Sequence, residues 1–146
     1  MKKVPLRNSI LLALIILTAG CGLKGNPVPY STIMGGKPLV ENMEAVSAAD
    51  AVILKWNLRD NVGLIHYIYI ERSEIGTPGN ECRDCPRTFE RTGQITVKGV
   101  LPAEKETTFS FADKKAVKGG IYNYRLKLCE NNGNCSDSLP VEINYQ

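Results

Sequence analysis

Hydrophobic and polar side chains alternate with a period of two along much of the chain, the pattern of half-buried strands rather than of helices. Val52, Leu54 and Trp56 alternate with Ala51, Ile53 and Lys55. Leu64, Ile68 and Ile70 form an even-numbered set opposed to Ile65, Tyr67 and Tyr69, and Phe109 and Phe111 alternate with Thr108 and Ser110. The cleanest run is Tyr122-Asn123-Tyr124-Arg125-Leu126-Lys127-Leu128, in which every second residue is apolar or aromatic and every intervening one is polar. No window places apolar residues at helical spacing, and Gly, Pro and Asn punctuate the apolar segments. The pattern predicts an all-β domain over residues 38–146, close to the roughly 100 residues of an immunoglobulin-like antiparallel sandwich.

Ahead of residue 38 the pattern is different. Met1-Lys2-Lys3 and Arg7 form a cationic start, residues 10–17 are an unbroken apolar run, and Thr18-Ala19-Gly20 are small. Residues 1–20 therefore read as a secretory signal peptide, since the run is far short of the roughly 20 residues a membrane-spanning helix needs. The segment Leu17-Thr18-Ala19-Gly20-Cys21 resembles the lipobox of bacterial lipoproteins, although Leu17 stands four rather than three residues before the cysteine. The resemblance implies acyl chains on Cys21, and two or more such chains anchor a protein stably where one does not. Gly22 in place of Asp implies, by the same resemblance, an outer-membrane lipoprotein, and the expected orientation faces the periplasm. Residues 21–37, rich in Gly and Pro and without apolar periodicity, read as a tether between the lipid and the domain.

Charge narrows the function classes. The chain carries 18 Lys+Arg against 15 Asp+Glu, and Lys2, Lys3 and Arg7 supply the whole excess. The mature part is therefore balanced, which argues against nucleic acid as a partner because phosphate binding needs several unneutralised cations on one face.

Five cysteines are present, and acylation of Cys21 leaves four. In an oxidising compartment they suit disulfides, with three pairings available. Turn chemistry favours one: Asn131-Asn132-Gly133 fits a three-residue hairpin loop with Gly133 in the left-handed position, which sets Glu130 opposite Asn134 and Cys129 opposite Cys135. Cys82 and Cys85 then pair with each other, as a staple in an insertion following the third strand. The Cys82-Arg83-Asp84-Cys85 spacing also matches a thioredoxin-like redox motif, but no βαβ pattern surrounds it. Four-cysteine zinc would need closer spacing in the second pair.

Lys55-Trp56, Tyr67 to Ser73, Phe89-Glu90-Arg91, Asp113, Gly119-Gly120-Ile121-Tyr122-Asn123-Tyr124-Arg125-Leu126 and Asn132-Gly133-Asn134 together resemble a fibronectin type III domain. The resemblance covers nearly all of residues 38–146 and implies a sandwich of about seven strands, with Trp56 as its core tryptophan and Tyr122 as its tyrosine-corner residue. Within that family the chain resembles small bacterial lipoproteins with a single type III domain behind a tether. Such framework residues identify a fold and leave activity open.

Sites of chemistry are few. His66 is the sole histidine, expected at the core edge, and no nucleophile elbow, zinc-protease or phosphate-loop motif occurs. No catalytic residue, metal or cofactor is expected. On the faces pointing away from the core, Tyr67 and Tyr69 should stand beside Arg125 and Lys127, an aromatic and basic composition enriched at protein interfaces. The expected function is a lipid-anchored, non-catalytic interaction module that binds an envelope protein or a glycan. The alternative is a periplasmic thiol-disulfide or envelope-assembly factor that uses Cys82 and Cys85.

Overall fold

The computed structural model describes residues 38–60, 62–97, 99 and 107–146. The leader at 1–20, Cys21 and the tether at 21–37 lie outside the described residues. Among those described, no helix occurs and the strands are β1 (Val40–Ser47), β2 (Val52–Leu58), β3 (Ile65–Thr77), β4 (Asn80–Glu81), β5 (Glu90–Thr96), β6 (Thr107–Asp113), β7 (Ile121–Glu130), β8 (Cys135–Asp137) and β9 (Val141–Asn144). They form two antiparallel sheets. The smaller is ordered β1-β2-β6; the larger is ordered β4-β3-β7-β8, with β5 also on β3 and β9 also on β7. Since β8 and β9 both continue along β7, they act as one edge strand interrupted at Ser138-Leu139-Pro140, where Pro140 cannot donate a ladder bond.

Alternation translates directly into burial on β2 and β7. Val52, Leu54, Trp56 and Leu58 from the small sheet meet Ile68, Ile70, Tyr124, Leu126 and Leu128 from the large one in a single core. Phe109 stacks on Trp56 at 6.0 Å between centroids. The Trp56 indole N–H is buried without a hydrogen-bond partner, so this residue contributes through packing area alone.

At the start of β3 the expected set is displaced. Leu64 is 41% exposed and Ile65 is 4% exposed. The cause is a β-bulge: Ile65 pairs with Glu130 and Tyr67 with Cys129, so one extra residue on β3 resets the alternation before Ile68. Asp60, itself buried, fixes the entry by accepting the backbone N–H groups of Leu64 at 3.1 Å and Ile65 at 2.7 Å. Further irregularities at Ile70/Glu71 against β5 and at Glu74/Gly76 against β7 add twist, and the large sheet curls. Curling brings β5 towards β6, where a Cβ on Gly93 would collide with the Phe111 ring; only glycine admits that contact.

Two polar anchors hold the other end of the core. Tyr122 donates its hydroxyl to the Val117 carbonyl and receives the Val117 N–H, both at 3.1 Å. Buried Asp113 accepts from Arg72 at 2.7 Å and from the Tyr124 hydroxyl at 2.9 Å, joining β6 of one sheet to β3 and β7 of the other. Burial, and after it the Asp113 carboxylate, push the Tyr124 hydroxyl well above the ordinary tyrosine range, with Arg72 opposing in part. Burial works against the Arg72 charge, but Asp113 and Tyr124 together keep its pKa above the ordinary arginine value.

Candidate functional site

The register between β3 and β7 decides what stands on the outer face of the large sheet. Tyr67 is opposite Cys129, Tyr69 opposite Lys127, Glu71 opposite Arg125 and Ser73 opposite Asn123. Paired residues of an antiparallel ladder share a face, so Tyr67, Tyr69, Arg125 and Lys127 form one surface. Asp137 on β8 lies opposite Lys127, and Gln94 and Thr96 on β5 lie opposite Tyr69 and Tyr67.

This surface is a lattice of charges and rings. Arg125 reaches Glu71 and Asp137, each at 2.8 Å, and Lys127 reaches the second oxygen of Asp137 at 3.2 Å. The Arg125 guanidinium lies over the Phe89 ring at 4.0 Å, and that of Arg91 covers the Tyr69 ring at 3.4 Å. Each cation therefore already meets a carboxylate or an aromatic face, which orients it. Tyr67 remains the most open aromatic of the group, at 37% exposure.

Beyond Tyr69 the same face is covered. Ser73 and Ile75 are buried, yet neither belongs to the core between the sheets. Their cover is a strap formed by residues 78–89. It begins with the turn Thr77-Pro78-Gly79-Asn80, where Gly79 takes a φ of 84° in the position that type II turns reserve for glycine. After β4, Cys82 donates its N–H to the Ile75 carbonyl at 3.1 Å. Arg83 then crosses to Glu142 on β9, contacting its two carboxylate oxygens at 3.0 and 3.1 Å. Since Glu142 pairs with Asn123, and Asn123 with Ser73, this link spans the outer face of three strands. Arg87 closes the strap on itself by donating to the carbonyls of Cys82 at 2.9 Å and Arg83 at 2.7 Å. A hollow of about 290 Å³ lies beneath, lined by Ser73, Ile75, Pro86, Thr88 and the two strap cysteines among others.

Both cysteine pairs stand at disulfide distance, in the pairing that the turn chemistry implies. Cys129 and Cys135 face each other with α-carbons 4.1 Å apart, beside a Glu130 N–H to Asn134 carbonyl bond of 2.8 Å; Gly133 takes a φ of 89° in the loop. Cys82 and Cys85 are joined within the strap, α-carbons 5.3 Å apart. Cys129 belongs to the outward set of β7 but is only 3% exposed, whereas Cys82 and Cys85 are both exposed. His66 is half-buried and stands beside Tyr67, ring centroids 6.4 Å apart. Among the described residues no group of three or more His, Cys, Asp or Glu is arranged to hold a metal ion.

The sequence marked the tyrosines and the cations but missed Glu71, Phe89, Arg91 and Asp137, which set their geometry. The signal for Glu71 and Asp137 was register: once Cys129 opposes Cys135, Lys127 must oppose Asp137. Fold and site together define an all-β protein of two antiparallel sheets carrying two cysteine pairs and a charged, aromatic outer face. No protein-family model matches this chain, and a search of curated proteins finds no match to it.

Proposed function

We propose that the protein is a lipid-anchored, non-catalytic interaction module of the bacterial envelope, built on a fibronectin type III-like domain and presenting the Tyr67/Tyr69/Arg125/Lys127 face to an envelope protein. The type III reading is supported by the strand order, by buried Trp56 on β2 and by the Tyr122 hydroxyl bonded to backbone five residues upstream. The binding reading is carried by one observation, the charge and ring lattice on the outer face of β3, β5, β7 and β8. Ordered Arg and Tyr side chains of this kind are the residue types that dominate protein interfaces. A protein suits the face better than a glycan, because sugar rings stack on open aromatic faces and Arg91 already occupies that of Tyr69.

The test is a photo-crosslinking amino acid at position 67 in intact cells, with position 55 on the exposed side of the small sheet as control. A discrete adduct with one envelope protein from position 67 and none from position 55 is the expected result. Equal adducts from both positions, or none from either, overturn the reading. In the same cells Cys21→Ser should abolish acylation and membrane retention, because the apolar run before it is too short to anchor the chain.

A further inference from the structure

The two cysteine pairs differ in how they are held and in how far they are buried. Cys129 and Cys135 are tied inside a ladder: Leu128 pairs with Ser136, Lys127 with Asp137, and the Glu130 N–H is held by the Asn134 carbonyl. If that bond is cut, the ladder keeps the two sulfurs together and favours re-closure. A thiolate leaving Cys129 would also form in a nearly fully buried position, where desolvation opposes its charge. Cys135 is exposed, so the hairpin pair is shielded on the Cys129 side alone; in the strap both cysteines are open and no long ladder holds them. Cys82 and Cys85 are exposed; the strap is tied to the domain at its start, by the short β4 ladder to β3 and the Cys82 N–H to Ile75 carbonyl bond, and by the Arg83 to Glu142 pair, while Arg87 bonds within the strap itself. Arg87 holds its guanidinium against the carbonyls of Cys82 and Arg83, which keeps a positive charge in the same short loop as the two sulfurs, where it favours a thiolate.

We propose that the Cys82–Cys85 bond is a redox-cleavable latch: a dithiol reductant opens it in preference to Cys129–Cys135, and opening lifts the strap off Ser73 and Ile75 to extend the outer face. The chemistry is ordinary exchange. A thiolate of the dithiol attacks one strap sulfur, forms a mixed disulfide, and expels the other cysteine as a thiolate that takes up a proton. The second thiol of the reductant then attacks the mixed disulfide. Two electrons pass to the strap, which ends as two thiols, and the reductant ends as a disulfide. The strap is thus the substrate of exchange and not its catalyst. The gating role rests on the interaction reading above, since the surface uncovered adjoins Tyr69 and Arg125; the chemical latch does not.

The test uses the purified full-length chain in detergent. Oxidised protein is treated with dithiothreitol for increasing times, quenched by alkylation and mapped by mass spectrometry, with hydrogen exchange followed in parallel. Cys82 and Cys85 should be alkylated at least tenfold sooner than Cys129 and Cys135. Exchange across residues 75–87 should accelerate at least tenfold on opening, while that of β7 stays unchanged. Cys82→Ser with Cys85→Ser should reproduce the accelerated exchange without reductant. Glu142→Gln, which leaves the bond intact, should loosen the strap while preserving the oxidised pair. Simultaneous opening of both pairs, earlier opening of Cys129–Cys135, or opening with strap protection unchanged each overturns the proposal. None of these measurements needs a partner, so loss of crosslinking at position 67 sinks the interaction reading alone. With a partner in hand, an adduct yield at position 67 that is unaltered by the double serine variant removes the gating role alone.

Discussion

The two faces of β7 belong to one ten-residue strand and are held by different physics. Facing the small sheet, Tyr122, Tyr124, Leu126 and Leu128 are buried among apolar neighbours, and their contribution scales with the area removed from water. Facing outward, Asn123, Arg125 and Lys127 are half-buried, and the two cations are held by directional contacts to Glu71, Asp137 and Phe89. The inner face sets how stable the domain is. The outer face adds little stability, because partly exposed ion pairs contribute roughly 0–1 kcal/mol each, but it fixes where charges and rings point. That division separates what a mutation does to folding from what it does to recognition.

The largest expected effect lies on the inner side. Trp56→Ala should destabilise the domain by about 3–5 kcal/mol, a large share of the total for a domain of this size. Denaturant titration checks it, and a midpoint like that of the wild type would mean that the core does not depend on the packing of β2. Removing the hairpin staple with Cys129→Ser and Cys135→Ser together should cost about 2–3 kcal/mol while the circular dichroism of the folded state is retained. Loss of the fold in that variant would show that the outer staple governs the inner face, contrary to the division drawn here.

The Asp113–Tyr124 bond makes a smaller and pH-dependent contribution. Tyr124 keeps its proton in the folded state above the ordinary value of 10.0, so its raised pKa leaves stability flat below about pH 10. As pH rises further the unfolded chain loses this proton first, and stability should fall. Tyr124→Phe should lower stability near neutrality by about 1 kcal/mol and reduce the alkaline fall. An equally steep decline in the variant would assign the effect to other groups. The smallest change is predicted for Lys127→Ala on the outer face, below about 1 kcal/mol and weaker still in high salt. The same substitution should alter crosslinking at position 67, and a large loss of stability with unchanged crosslinking would reverse the roles of the two faces.

Much of this division is legible in the sequence because alternation is a local signal. Val52 to Trp56 and Tyr122 to Leu128 declare their inward sides without help from distant residues, and Asn131-Asn132-Gly133 declares the register of its own hairpin. Three features escaped that reading for one reason. The bulge at Ile65 depends on how β3 meets β7, and the burial of Ser73 and Ile75 depends on a strap that folds back from residues 78–89. The Arg72–Asp113–Tyr124 cluster joins residues up to 52 positions apart in sequence. Alternation tells which side of a strand is apolar; it carries no information about what will lie over the other side. The site was legible to the same degree, with its rings and cations visible and the partners that orient them hidden in the register.

The contact between Gly93 and Phe111 bears on how the molecule behaves in a crowded compartment. An exposed strand edge is a template for further pairing, and proteins must blunt such edges to remain dispersed. Here β5 is the last strand on its side of the curled sheet, and the Phe111 ring from the opposite sheet leans against it in the space left by the absent side chain. Gly93 thus lets the edge of the large sheet close against the small sheet, where any side chain would hold the two apart. A methyl group at that position should drive the ring away and leave the β5 edge less covered, and light scattering of Gly93→Ala against the wild type at high concentration checks whether that edge then pairs with neighbouring copies.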